Sequence, residues 1–326
     1  MPMIKGRKRG PNQGKLAGSR YFQPCEDLTE KRLEAGLQSP LRYPGGKRRL
    51  AEYIGEVLKI NEIRPKLFVE PFAGGASVSL NLLSNGLVDK IAIGEKDPLV
   101  AAFWKVVFDD PDWLIHKVET TPITVGKWKE MKMTREGDLR ERAFACLFLN
   151  RTSFSGILHP NSGPIGGKKQ ISPYKIDCRF PTKRLVQQIR DIHSLGPKVE
   201  FIHEGDWMST MQRAKELEGY AADDLFYYLD PPFYNKADRL YQFSFEALDH
   251  VRLCKHLSRV KSPWLVSYDP AEAIIEMYSN NGFSARTIHV LYSTSADGNR
   301  MAREIILTNL RTVPERTKMW SSGRCR

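Results

Sequence analysis

The chain has 326 residues, 41% of them hydrophobic, and a formal net charge of +12. That apolar content is ample for a core and excludes disorder throughout. No apolar run approaches a membrane span and the N-terminus has no apolar signal core, so the chain is expected to be cytoplasmic. The five cysteines (Cys25, Cys146, Cys178, Cys254 and Cys325) are widely separated, with no CxxC and no paired Cys/His spacing, and are read as free thiols with no metal expected. The positive charge is uneven. Residues 1–20 hold six basic residues and no acid, and residues 311–326 hold five basic residues against Glu315. Two such tails serve either as solvated, solubilising segments or as basic arms that add phosphate contacts without reading sequence.

In chain order, residues 1–27 read as disordered, and a short helix is expected over Leu28–Gly36. The stretch Pro40-Leu-Arg-Tyr-Pro-Gly-Gly-Lys47 then forms a glycine loop that leads into an amphipathic helix ending near Leu58. Its glycines allow a ligand close to backbone N–H groups, and Lys47 brings a cation there. Next, Leu67-Phe-Val-Glu-Pro-Phe-Ala-Gly-Gly-Ala-Ser-Val-Ser-Leu80 predicts strand, tight turn and helix, the local geometry of a nucleotide-type cofactor site. A second strand, Lys90–Gly94, ends at Glu95, about twenty residues beyond the turn, where an acid can hydrogen-bond the hydroxyls of a ribose.

Helical patterns follow over Leu99–Phe108, Pro111–Val118, Val125–Met133 and Leu139–Leu149. An irregular stretch from Asn150 to Pro181 comes next. There Arg151, Lys168, Lys169, Lys175 and Arg179 are interleaved with Phe154, His159, Tyr174 and Phe180, a mixture suited to phosphate contact and base stacking. Strands resume at Val199–Ile202, ending near Asp206, and continue at Leu225–Leu229 and Trp264–Ser267, with Phe283–Leu291 and Glu304–Thr308 as a closing pair. Helices are expected over Glu246–Arg259 and Ala271–Ser279.

The strand Leu225–Leu229 stops on Asp230-Pro-Pro-Phe233. Proline cannot donate to a ladder and fixes φ near −65°, so Pro231 and Pro232 end the strand and stiffen the next few backbone atoms. Asp230 therefore falls at the carboxyl end of a buried strand, where open α/β sheets gather their ligands. Its carboxylate and the Pro231 carbonyl are two adjacent acceptors. They suit a group with two N–H donors, such as the exocyclic amine of adenine or cytosine, and Phe233 supplies a ring on which a flipped base can stack.

Four motifs in this order, Tyr43-Pro-Gly-Gly-Lys47, Glu70-Pro-Phe-Ala-Gly-Gly75, Asn150-Arg-Thr-Ser-Phe-Ser-Gly156 and Asp230-Pro-Pro-Phe233, resemble those of the Dam-like adenine-specific DNA methyltransferases. The resemblance covers residues 38–310. It implies an α/β fold, a Rossmann-like methyltransferase sheet with an inserted helical and loop target-recognition region. It also implies transfer of a methyl group from S-adenosylmethionine to the N6 amino group of adenine in double-stranded DNA. The implied organisation is a basic arm (1–37), a catalytic domain (38–104 and 196–310), an inserted target-recognition region (105–195) and a basic tail (311–326). By the same resemblance Tyr43, Lys47, Glu70, Phe72, Gly74, Gly75, Glu95 and Asp206 bind the cofactor, Asp230 to Phe233 bind the target base, and Ser267-Tyr-Asp269 flanks the base pocket. Arg151, Phe154, Lys168 and Lys169 are candidates for DNA contact, and a cognate restriction endonuclease is admitted as a partner. Phe233 stands where tyrosine is usual, and Glu95 where aspartate is frequent. Transfer to cytosine N4, action on RNA, or a DNA-binding protein that has lost catalysis are the competing readings.

Overall fold

The computed structural model describes residues 37–42, 47–234, 245–294, 298–315 and 317–318. Tyr43, the expected helix at Leu28–Gly36, the N-terminal arm and most of the basic tail lie outside those residues. Helix α1 (Arg48–Ile60) is followed by β1 (Leu67–Glu70), α2 (Ser77–Ser84) and β2 (Lys90–Glu95). Helices α3 (Pro98–Asp109), α4 (Pro111–Thr120), α5 (Val125–Met133), α6 (Leu139–Thr152) and α7 (Thr182–His193) come before β3 (Val199–Glu204) and α8 (Trp207–Lys215). The chain then runs through β4 (Leu225–Leu229), α9 (Ala247–Leu257), β5 (Trp264–Tyr268), α10 (Glu272–Ser279), β6 (Ala285–Thr294) and β7 (Gly298–Thr308).

The seven strands form one sheet in the order β3-β2-β1-β4-β5-β7-β6. The first five are mutually parallel, while β7 runs antiparallel to both β5 and β6. Strands β1 and β4 are buried at every position, as central parallel strands covered on both faces must be. Their side chains alternate between two cores, in keeping with the period of two. Phe68, Phe226 and Tyr228 face the core built with α1 to α7, whereas Leu67, Val69, Tyr227 and Leu229 face the core built with α8 to α10. The chain leaves β1 in one direction to β2 and returns on its other side as β4, so the strand order reverses between β1 and β4. That crevice is where such sheets hold ligands.

Local sequence accounts for most element ends. In α1, Leu50, Tyr53, Ile54, Val57 and Leu58 are buried, the i, i+3, i+4, i+7, i+8 stripe of a one-sided helix. Asp97 caps α3 by accepting from the Leu99 amide, with Pro98 in the first turn. Asp138 caps α6 in the same way through the Glu141 amide. Two expectations need correction. Helix α6 continues to Thr152, so Asn150 and Arg151 are helical and do not begin the irregular stretch. Helices α7 and α8 have no counterpart among the elements expected from the sequence. The buried residues of α7 (Leu185, Val186, Ile189, Ile192) recur at i, i+1, i+4 and i+7, the stripe of a one-sided helix, so the signal for this helix was present in the sequence. Among the described residues, no helix is long and apolar enough to cross a membrane.

Candidate active site

At the carboxyl end of β1, Glu70 turns its side chain into the interior, where its Oε2 accepts hydrogen bonds from the Ser79 amide at 3.1 Å and from the Ser79 hydroxyl. Burial pushes this carboxyl up to about 8. The Ser79 bonds oppose the shift, and Asp230 and Glu95 add to it. The turn after β1 is shaped by its backbone. Gly74 and Ala76 have φ of 47°, the left-handed region, and the Ala73 amide donates to the Gly94 carbonyl at 3.0 Å. Trp104 of α3, wholly buried, donates its Nε1–H to the Gly74 carbonyl at 2.8 Å and so fixes the turn from below.

Glu95 at the end of β2 meets this turn directly. Its Oε2 accepts from the Gly74 amide at 2.9 Å and its Oε1 from the Asp97 amide at 3.0 Å. Burial pushes its carboxyl up to about 7 against the pull of those amides. Asp206 lies beyond the end of β3, next to β2. Its Oδ1 caps α8 through the Ser209 amide at 2.8 Å, and its carboxyl sits below the usual range despite partial desolvation because of the Ser209 hydrogen bonds and Lys96.

Asp230 follows β4, the neighbour of β1 on the other side. Its Oδ1 receives the Ser267 hydroxyl at 3.0 Å and lies 3.3 Å from the Lys47 ammonium. The Ser267 and Tyr228 hydroxyls are 2.9 Å apart behind it. Lys47 is the N-cap residue of α1 and is buried, and its Nζ also reaches Oε2 of buried Glu304 on β7 at 2.7 Å. Both of these close approaches to Asp230 fall on Oδ1, and its side chain keeps 25% exposure. Pro231 is buried, whereas Pro232 and Phe233 are half-buried. The loop beyond is pinned at Tyr234, whose amide donates to Asp269 Oδ1 at 2.9 Å. Buried His250 packs 5.1 Å from the Tyr234 ring and 5.2 Å from Phe245, with its Nδ1 3.0 Å from the Tyr268 hydroxyl. Phe245 in turn meets Phe72 edge-on at 5.5 Å, which joins the two loops in one aromatic cluster.

The structure thus brings together Lys47, Glu70, Phe72, Gly74, Glu95 and Asp230 of the expected residues. Arg151 and Phe154 lie on α6 and the turn after it, where buried Asn150 binds the Arg42 amide and carbonyl and the Gly156 carbonyl. Lys168 and Lys169 are exposed on the loop before α7, and among the described residues no hydrogen bond or ion pair ties them to the cleft. Sequence reasoning missed Glu304, Trp104 and His250. Only Glu304 leaves a trace, as an acid abutting the apolar run Ile305-Ile-Leu307.

Carboxylates at the ends of two adjacent strands, a tight backbone turn and a further acceptor across the crevice thus gather at one end of the sheet. With this strand order they define an α/β methyltransferase. A model of the D12 class N6 adenine-specific DNA methyltransferases matches residues 43–294, and the chain belongs to that family. It is accordingly an enzyme that methylates the N6 amino group of adenine in DNA, with S-adenosylmethionine as methyl donor. The Type II methyltransferase M.MjaIII of Methanocaldococcus jannaschii is 25% identical over 238 residues, which cover 66% of this chain and 77% of that protein. Among solved structures, one described as a candidate RNA methyltransferase of Pyrococcus horikoshii gives a TM-score of 0.36 at 10% identity over 82% of this chain and 84% of its own. The Precorrin-6y C5,15-methyltransferase of Geobacter metallireducens gives 0.34 at 8% identity over 80% and 85%. These two likenesses are weak.

Proposed function

We propose that the crevice is divided between two ligands, with Glu70, Phe72, Gly74, Gly75, Glu95 and Asp206 on the cofactor side and Asp230 to Phe233 on the side of the target adenine. Tyr43, outside the described residues, is assigned to the cofactor side by its motif alone. Glu70 is buried and Glu95 half-buried, neither is ion-paired with a cation among the described residues, and S-adenosylmethionine carries an ammonium, a sulfonium and a ribose diol. The residues fit that group, which supplies an electrophilic methyl when bound.

The observation that carries the base assignment is the one-sided engagement of Asp230. Lys47 and Ser267 hold Oδ1, which supports Oδ2 as the acceptor for an adenine N6–H, with the Pro231 carbonyl as acceptor for the other. Hydrogen bonds of this kind favour a pyramidal nitrogen with an available lone pair. Holding the reacting nitrogen in line can contribute roughly 7 to 11 kcal/mol. Drawing the base out of the duplex costs on the order of a few kcal/mol, and stacking on Phe233 returns about 1 to 3 kcal/mol. The position of Lys47 supports a role in orienting Asp230 as well as in binding the cofactor.

Arg151, Phe154, Lys168 and Lys169 are assigned to DNA contact. Phe154 is 68% exposed at the tip of its turn, and Tyr174 is 66% exposed on the next loop, which supports residues 105–195 as the part that meets DNA. The M. jannaschii relative is named a type II methyltransferase. That supports a cytoplasmic modification role beside an endonuclease of the same specificity. With methyl-labelled cofactor and unmethylated duplex, wild type is expected to deposit label as N6-methyladenine and Asp230→Ala to deposit none. Equal labelling by the two would remove Asp230 from the reaction.

A further inference from the structure

Away from the crevice, arginines from three stretches converge on residues 38–42. Arg151 Nε donates to the Pro40 carbonyl at 2.6 Å, and Arg184, on the first turns of α7, donates to the Gln38 side chain. Arg42 is tied to the same place by Asn150, at 2.6 Å through its amide and 2.9 Å through its carbonyl. Burial depresses the basicity of Arg42, and Arg179 on the loop before α7 is near enough to depress it further. Burial likewise lowers the Arg151 guanidinium to about 10, with Arg42, Arg184 and Arg179 each acting in the same direction.

Every hydrogen-bond partner described for these side chains is a neutral oxygen. Among the described residues none of the four forms an ion pair with a carboxylate, whereas Arg140 and Arg142, on the first turn of α6, pair with Asp110 and Glu204. Arg42 Nη1 is buried with no hydrogen-bond partner at all among them. A buried donor without an acceptor, among like charges without a counter-ion, is costly unless a ligand supplies the missing anion. The turn carrying exposed Phe154 closes against this group, because a Cβ added at Gly156 would stand 2.6 Å from the Arg42 carbonyl.

We infer that Arg42, Arg151, Arg179 and Arg184 form a phosphodiester-binding site that seats the backbone of the DNA substrate one turn away from the Phe154 ring. Guanidinium forks match phosphate oxygens in pairs, and four of them from separate elements suit a polyanion that crosses the surface better than a single small anion. The inference rests on DNA being the substrate and names where its backbone lies.

The test uses the full chain and the double variant Arg179→Gln/Arg184→Gln, both positions being exposed. Affinity for a duplex is measured across a range of salt concentrations, with KM for DNA beside it. Removing one phosphate-neutralising cation reduces the slope of log affinity against log salt by about 0.9, so a fall of roughly two is expected together with a higher KM for DNA. Arg179→Lys/Arg184→Lys is expected to keep most of the slope. The glutamine variant should melt no lower than wild type, since two repelling charges have gone. An unchanged slope and KM in the glutamine variant, with wild type still binding and methylating DNA, would overturn the site alone. So would displacement of duplex by millimolar inorganic phosphate at constant ionic strength, which would mark a site for the free anion. Wild type that failed to bind duplex would overturn both the site and the reading it rests on.

Discussion

Lys47 is the residue on which the interior of the site depends, since its ammonium serves both Asp230 and Glu304. Removing one partner of a buried pair costs about 3 to 5 kcal/mol, because the other charge is left in the interior. Lys47→Met is therefore expected to lower stability to urea by about that much, and Lys47→Met/Glu304→Gln to recover most of the loss. A full loss persisting in the double variant would show that the pair is not the cause. Glu70 gives a second consequence at the same scale. Burial raises its carboxyl to about 8 in the folded chain, against about 4.3 for an unfolded glutamate. Its contribution to stability is thus fully present below about pH 4 and lost as pH rises through about 8. The cofactor-free protein is expected to melt at falling temperature across that range, and Glu70→Gln to flatten the decline. A cationic ligand favours the ionised carboxylate, so S-adenosylmethionine binding near pH 7 is expected to release protons, read by calorimetry in buffers of different ionisation enthalpy. Proton uptake would contradict the assignment of Glu70 to the cofactor side.

At the scale of elements, the turn after α6 is built on a residue with no side chain. Gly156 has φ of 75°, and a Cβ there would approach the Arg42 carbonyl to 2.6 Å. Gly156→Ala combines left-handed strain with a backbone clash. It is expected to cost about 1 to 3 kcal/mol and to weaken DNA binding more than cofactor binding, measured by unfolding and by the two dissociation constants. Unchanged affinity for DNA would detach this turn from the interface. The motif from Asn150 to Gly156 was legible as a pattern, but its work was not. Asn150 is a structural clasp 108 positions from Arg42, and no local periodicity announces a contact of that separation. Trp104 is likewise hidden, since a tryptophan in an apolar helix reads as core until its Nε1 is seen against the Gly74 carbonyl.

Across the whole molecule, β1, β2 and β4 were legible because each apolar run ends on a chemically marked residue, Glu70, Glu95 or Asp230. The antiparallel closing pair followed from two adjacent apolar runs. The partner of Lys47 was not legible, because Glu304 lies 257 positions away and only the β7 register brings it under α1. The inserted helices also do not pack as an appendage. Phe144, Phe148 and Leu185 share one core cluster with Phe68 and Tyr228 of the sheet, so the region proposed to read DNA is braced against the strands that hold the reacting groups. The division of the crevice into a cofactor side and a base side is the central claim, and single-turnover methylation by Asp230→Asn tests it most directly. Replacing one acceptor oxygen by an amide is expected to slow transfer by about 10²- to 10³-fold, the scale of removing one preorganised polar group, while cofactor affinity stays near that of wild type. A transfer rate equal to wild type, or a loss carried entirely by cofactor affinity, would contradict it.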